Sequence, residues 1–177
     1  AFLLKNMTRG SSSGTWTANP SASLGAAYIM SAGGGGGGGG GNPQAGGSTG
    51  GEGAYGFYSG PISGGSSNPF VVGAGGNPGA GRNSPGVASA GGAGGVSNTL
   101  GFTVNGGNGG GGARTYPPLA GTPGNPGNNA VGVETIIDRS INFLAPGGDG
   151  GNSGSPNGGN GGAGEVGFIV IYDNGGT

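Results

Sequence analysis

Glycine recurs at every third position in short blocks of this chain, and this spacing limits the possible folds more than any other feature. Glycine supplies 55 of the 177 residues, and 33–41 is an unbroken run. The same spacing appears as Gly73, Gly76 and Gly79 and again as Gly158, Gly161 and Gly164. Glycine has no side chain to bury, so a core of ordinary size is excluded. Glycine-rich chains without a period are usually disordered, whereas a regular period favours order.

A period of three is the repeat of the polyproline II helix, which has no internal hydrogen bonds. Its N–H and C=O groups point outward, so neighbouring glycine helices can bond to one another and satisfy the backbone. The sequence therefore predicts a lattice of about eight glycine helices. They are expected near 33–41, 47–53, 73–81, 91–95, 106–112, 121–127, 147–154 and 158–164.

The two flanks of the chain have the composition of β-strands. Thr15-Trp16-Thr17 and Ala26-Ala27-Tyr28-Ile29-Met30 are bounded by Gly, Pro and Ser, and 165–173 is the clearest strand in the chain. We expect this last strand to be buried and to pair with the strand that contains Tyr28. The expected small core consists of Trp16, Tyr28, Phe168, Ile169 and Tyr172.

These observations predict a mostly irregular, all-β-like fold with glycine helices, a few flanking strands and no α-helix of note. Three segments are expected. Residues 1–32 form an N-terminal attachment segment with short strands, and 33–164 form the glycine-helix lattice with variable inserts. Residues 165–177 form a C-terminal strand that packs on the N-terminal strands.

If the helices run alternately up and down, alternate inserts meet at the same end. Inserts 54–72, 96–105 and 128–146 then share one end, and 42–46, 82–90, 113–120 and 155–157 share the other. Aromatic side chains and Arg carry much of the binding energy in interfaces. The predicted binding residues at the long-insert end are Tyr55, Phe57, Tyr58, Ile62, Phe70, Leu100, Phe102, Ile136, Asp138, Arg139 and Phe143. The opposite end holds Arg82, Arg114, Tyr116 and Leu119. The alternative interpretation is that these apolar residues pack on one another and cap the lattice.

The composition also excludes several functions. The chain has no Cys and no His, which removes thiol and imidazole chemistry and Cys/His metal sites. A net charge of −1 gives no basic patch for nucleic acid. The sequence also contains no run of 18 apolar residues, the length that insertion into a membrane would need. The G-x-G-x-x-G match at 51–56 lacks a strand–helix context. We therefore expect a protein that is not an enzyme and that has no cofactor and no metal.

The chain resembles the glycine-rich distal adhesins of phage long tail fibres. The resemblance rests on the run from Gly33 to Gly41, the in-phase motifs through Gly164, the aromatic inserts and the two strand flanks, and it covers roughly 15–173. It implies a sandwich of polyglycine II helices whose loops bind a bacterial surface receptor, either protein or polysaccharide. It also implies attachment to a tail-fibre or tail-tip protein in the context of a trimeric fibre. The expected location is the tip of the fibre or tail on the virion, after synthesis in the host cytoplasm.

Two other functions stay open from the sequence. The chain could be a structural glycine-rich surface protein without receptor binding. An ice-binding protein is the other alternative, although the bulky inserts argue against the flat rows of small residues that ice binding requires.

Overall fold

The computed structural model describes residues 6–41, 44–82, 86–115, 118–119, 124, 147–152 and 158–175. These residues contain β-strands and extended segments, and no α-helix occurs among them, as the sequence predicts. The strands are β1 Asn6–Gly10, β2 Gly14–Thr17, β3 Leu24–Met30, β4 Gly40–Gly41, β5 Gln44–Ala45, β6 Tyr55–Pro61, β7 Ser67–Val71, β8 Ser97–Thr99, β9 Phe102–Val104, β10 Arg114–Thr115, β11 Pro118–Leu119 and β12 Phe168–Asp173.

One extended glycine segment, 33–39, lies at the centre of the molecule, and every residue in it is buried. Each of its N–H groups donates to a carbonyl of another segment, and the partner segment repeats every three residues. Gly34 donates to Gly51 at 2.9 Å and Gly37 donates to Ser48 at 2.8 Å. The full series runs from Gly33 to Glu165, Gly34 to Gly51, Gly35 to Gly92, Gly36 to Gly162, Gly37 to Ser48, Gly38 to Ser89 and Gly39 to Gly159.

The carbonyl groups of this central segment accept hydrogen bonds with the same period. The donors are Gly76, Gly148, Gly110, Gly79, Gly151, Ala113 and Arg82, which bond to residues 33 to 39 in that order. Partner numbers fall along the donor series, so three flanking segments are antiparallel to the centre. They rise along the acceptor series, so the other three are parallel. In the described chain, the central segment is thus bonded to six flanking segments, 47–51, 73–82, 88–95, 105–113, 147–152 and 158–167.

The six flanking segments also bond to one another and close a ring. Representative bonds are Gly47 to Gly151, Gly51 to Asn108, Gly91 to Gly110, Gly92 to Asn77, Gly161 to Gly79 and Gly162 to Asp149, each from N–H to carbonyl. The segments approach so closely that a Cβ at Gly34 would overlap the Asn108 carbonyl, and one at Gly37 would overlap the Gly111 carbonyl. Glycine is required at such positions because a backbone carbonyl occupies the volume of any side chain.

Two four-stranded antiparallel sheets form the rest of the described fold. Their strand orders are β1-β12-β3-β6 and β2-β7-β8-β9, and two short pairs, β10-β11 and β4-β5, lie apart from them. As the sequence predicts, β12 pairs with β3, with Ile169 opposite Ile29. The β12 strand begins only at Phe168 because Gly167 still donates to Gly73 within the glycine segments.

The apolar core lies between the two sheets. It contains Trp16, Ala18, Ala27, Ile29, Ala54, Phe70, Val104, Ile169 and Ile171. Trp16 and Ile169 therefore belong to the core, as expected, but Tyr28, Phe168 and Tyr172 do not. These three lie on the other face of the first sheet because side chains alternate along a strand, and Ile29, Ile169 and Ile171 occupy the inward positions. The expected core was wrong for these three residues.

The predicted alternation of chain direction is confirmed for the described inserts. Inserts 54–72 and 96–105 meet at one end, where β7 pairs with β8. Inserts 42–46 and 113–120 meet at the other end, where β10 contacts β4 and β5. Inserts 128–146 and 155–157 lie outside the described residues, as does most of the predicted block 121–127. The division into 1–32, 33–164 and 165–177 stays a prediction.

The close approach of the segments predicts that alanine is tolerated at some glycines and not at others. A Cβ at Gly161 would overlap the Gly36 carbonyl, whereas a Cβ at Gly159 meets its nearest atom at 3.4 Å. Gly161→Ala is expected to lower the free energy of unfolding by about 3 kcal/mol, as overpacking does. Gly159→Ala, on the same segment, should change it by less than about 1 kcal/mol. Thermal unfolding of both variants measures the difference, and equal midpoints would contradict the packing described above.

Candidate functional site

The molecule has two ends with different construction. The first, here called the sheet end, contains the two four-stranded sheets with inserts 54–72 and 96–105. The second, here called the short-insert end, contains β4, β5, β10, β11 and the described part of 82–90. The predicted binding residues of inserts 54–72 and 96–105 therefore lie at the same end as β1, β2, β3 and β12 from the two flanks of the chain.

Phe70 is built into the core of the sheet end. Its strand β7 pairs with β2, and Phe70 lies opposite Gly14. A side chain at Gly10 or Gly14 would collide with the Phe70 ring, so the ring fills the space above these two glycines. Only 7% of Phe70 is exposed, which leaves little surface for a partner.

Leu100 and Phe102 belong to a hairpin that folds back onto the core. Thr99 pairs with Phe102, so the loop between β8 and β9 has two residues, Leu100 and Gly101. Both have positive φ, 51° for Leu100 and 76° for Gly101, as a two-residue hairpin turn requires. Positive φ is costly for leucine. The packing of Leu100 against the core cluster offsets this cost.

Tyr58 and Ile62 also pack against the core cluster from the insert 54–72. The rings of Tyr58 and Phe102 are 6.5 Å apart, and the Ile62 side chain covers Gly25, where an added Cβ would meet it at 3.0 Å. Five of the predicted binding residues therefore contribute to the packing of the sheet end, which matches the alternative interpretation of these inserts. The signal that indicated binding, aromatic residues in long inserts, equally indicates strands that pair and bury one face.

Tyr55 and Phe57 lie on the outer face of the first sheet. Tyr55 is 42% exposed. Phe57 is opposite Tyr28 on the neighbouring strand, with their ring centroids 4.8 Å apart, and Tyr28 meets Tyr172 edge-on at 6.1 Å. Partial burial and, secondarily, the nearby Tyr172 raise the pKa of the Tyr28 phenol above its ordinary value. This outer face is a half-exposed aromatic surface.

The short-insert end is held by backbone bonds at its base. Arg82 forms a parallel bridge with Gly40, and Arg114 forms an antiparallel bridge with Val87. Both arginines are exposed, and 55% of Val87 is exposed. Of the remaining predicted residues, Ile136, Asp138, Arg139, Phe143 and Tyr116 lie outside the described residues, and Leu119 is described only through its backbone in β11.

The described residues contain no group of three or more Asp, Glu, His or Cys that could hold a metal ion. No helix with the length and hydropathy of a membrane span occurs in the described ranges either. No protein-family model and no curated protein matches the sequence. The two ends of the molecule are therefore the features that bear on its function.

The burial of Phe70 and the exposure of Tyr55 predict that substitution by alanine has a large effect on stability at the first position and a small effect at the second. Phe70→Ala is expected to lower the free energy of unfolding by about 3 to 4 kcal/mol, because it leaves a cavity between the sheets. Tyr55→Ala should change it by less than about 1 kcal/mol. Chemical denaturation of the two variants measures both effects. A Phe70→Ala protein as stable as the parent would contradict the placement of this ring in the core.

The raised pKa of Tyr28 predicts a loss of stability in alkali. Because the pKa of the Tyr28 phenol is higher in the folded state, its contribution is complete below the ordinary tyrosine pKa, about 10. The contribution is lost as the pH rises through the folded-state pKa. The melting temperature should therefore fall less between pH values of about 8 and about 11 in Tyr28→Phe than in the parent protein. An identical fall in both proteins would contradict it.

Proposed function

We propose that the glycine segments adopt the polyglycine II conformation and form a lattice. Three observations support this proposal: the donor and acceptor partners of 33–39 repeat every three residues, the segment bonds to six neighbours, and the neighbours bond to one another in a ring. A helix with three residues per turn directs its hydrogen-bonding groups to partners with this period. The eighth segment of the proposed lattice is described at Gly124, whose N–H donates to the Thr49 carbonyl at 3.0 Å.

We further propose that the protein is a phage tail-fibre tip adhesin that binds a bacterial surface receptor. The observation that carries this proposal is the separation of the two ends by the glycine segments. The strands from both flanks of the chain, β1 to β3 and β12, lie at the sheet end. In this proposal the sheet end attaches to the tail-fibre or tail-tip protein, and the short-insert end meets the receptor.

The composition of the short inserts supports this assignment. Each of the inserts 42–46, 82–90, 113–120 and 155–157 contains at least one proline. Proline restricts the chain before binding, so less conformational entropy is lost when a partner binds. Several copies of such a protein on one virion would add weak contacts into a strong attachment, as multivalency does.

The predicted binding residues fall into two groups. Tyr55 and Phe57, on the outer face of the first sheet, are candidates for contact with the fibre protein because this face is aromatic and half-exposed. Ile136, Asp138, Arg139 and Phe143 in the insert 128–146 belong to the competing assignment, in which the long inserts bind the receptor, and the test below compares the two assignments.

The test replaces loops and measures attachment to bacteria. Residues 82–87 and 114–119, which include Arg82 and Arg114, are replaced by Gly/Ser sequences of the same length that keep Gly86. The fluorescently labelled protein is then mixed with a panel of bacterial strains. The loop-replaced protein should lose binding to the strains that the parent binds. It should keep its melting temperature, because the backbone N–H groups at positions 82 and 113 retain their bonds to the central segment. Asn77→Ala, at an exposed position between the two ends, is the control and should bind normally.

Two results would contradict the proposal. A parent protein that binds no strain would favour a structural glycine-rich protein without receptor binding. Unchanged binding after loop replacement, together with loss of binding after replacement of 128–146, would place the receptor contact in the long insert. A variant in which 128–146 is replaced is therefore measured beside the loop-replaced protein, so that loss of binding can be assigned either to the short inserts or to the long insert.

A further inference from the structure

The short inserts carry charges of one sign only. The four sequences 42–46, 82–90, 113–120 and 155–157 contain Arg82 and Arg114 and neither Asp nor Glu. Both arginines are exposed. The four described acidic residues lie elsewhere. Asp173 is in the first sheet, and Glu52 and Glu165 are near the sheet end, where the Glu165 carbonyl accepts a bond from Gly33. Asp149 lies between Gly148 and Gly151, which bond to Gly34 and Gly37 in the middle of the central segment. A protein with a net charge of −1 therefore presents a positive surface at this end.

The backbone of the central segment fixes the two arginines relative to each other. The N–H of Arg82 donates to the Gly39 carbonyl at 3.0 Å, and the N–H of Ala113, next to Arg114, donates to the Gly38 carbonyl at 3.0 Å. The carbonyls of Gly38 and Gly39, consecutive residues of one buried segment, thus bond to the two flanking segments that carry the arginines. Their spacing is set by backbone bonds, so little order is gained or lost when an anion binds.

The guanidinium of Arg82 is positioned by Gly86. Gly86 has a φ of +147°, and a Cβ there would lie 2.9 Å from Nε and 3.0 Å from Cζ of Arg82. The planar group therefore rests against the backbone of Gly86, at a position where a side chain would not fit. An arginine held in this way can present its N–H groups to a carboxylate in the paired geometry that lysine does not reproduce.

We propose that the short-insert end binds the carboxylate groups of an acidic polysaccharide through Arg82 and Arg114. This inference rests on the proposed adhesin function and names the chemical class of its receptor. A polysaccharide fits better than an acidic protein, because Val87 is the one large apolar residue that is exposed in the described part of this end. A protein interface normally has an apolar, aromatic centre. An acidic polysaccharide repeats its carboxylates along the chain, so it can contact both arginines without an apolar centre in the interface.

The experiment uses a matched pair of ligands. Labelled oligogalacturonate carries one carboxylate per sugar, and its methyl ester has the same backbone without the charge. The parent protein should bind the acid and not the ester. Arg82→Gln and Arg114→Gln should each weaken binding by about tenfold, and the double variant should abolish it. Binding should also weaken when the salt concentration rises from about 0.05 to about 0.5 M.

The control has the same change in net charge as the double variant. Asn77→Asp with Asn108→Asp places two negative charges at exposed positions away from the short-insert end and should bind like the parent. Arg114→Lys separates charge from geometry, because a point charge without the paired N–H groups should bind more weakly than arginine. Melting temperatures of all variants should match that of the parent, since these side chains make no bond to the central segment.

The outcomes distinguish this inference from the proposed function. Equal binding of acid and ester, no binding of the acid, or unchanged binding by the double variant overturns the polysaccharide inference. If the double variant still attaches to bacteria that the loop-replaced protein no longer binds, the end is a receptor site of another chemistry. If both proteins still attach, the assignment of the receptor to this end fails.

Discussion

The backbone hydrogen bonds of 33–39 are the interaction on which the rest of the structure depends. Each of these seven residues donates once and accepts once, and its partners belong to six different segments. A buried N–H or C=O without a partner costs about 1 to 3 kcal/mol. Because this segment is buried throughout, loss of any flanking segment would leave several such groups unpaired at once. The glycine segments are therefore expected to form and unfold together.

The boundary between the glycine segments and the sheets needs side chains, and two buried serines supply them. The Ser31 hydroxyl lies within hydrogen-bond distance of the carbonyls of Ala54 and Asn105, and the Ser97 hydroxyl accepts from the N–H of Gly73. Neither serine is exposed to solvent. They lie where the period of three ends and strand pairing begins. The Ser97 hydroxyl takes the place of a backbone acceptor for the N–H of Gly73, whereas the Ser31 hydroxyl lies beside carbonyls that already accept the N–H groups of Ser31 and Ala54. A hydroxyl is suited to this position because it can both donate and accept.

The sequence predicted the periodic part of the fold better than the rest. Spacing of glycine reveals which backbones must approach closely, and the alternation of direction assumed from the sequence agrees with the hydrogen-bond series of the described segments. Spacing does not reveal which of six neighbours a segment bonds to, because every glycine block has the same surface. The aromatic inserts were harder, since Phe70 or Phe102 in a glycine-rich sequence indicates a binding loop and a paired strand equally well. The pairing of β2 with β7 decides this for Phe70, and it joins residues far apart in the chain. The Leu100 turn was also missed, because leucine is not a residue that positive φ favours.

The two ends differ in how far their sequences can change without loss of the fold. At the sheet end, an insert such as 54–72 contributes side chains to the core or its edge, so substitutions at those positions alter packing between the sheets. At the short-insert end, the inserts meet the central segment through backbone groups such as the N–H of Arg82, and these groups are present whatever the side chain. Substitution of the loop residues beyond those bonds therefore changes the surface without removing a donor or an acceptor. A framework made of backbone bonds tolerates variation at its loops for this reason, and a binding function that must change with its target is best placed at such an end.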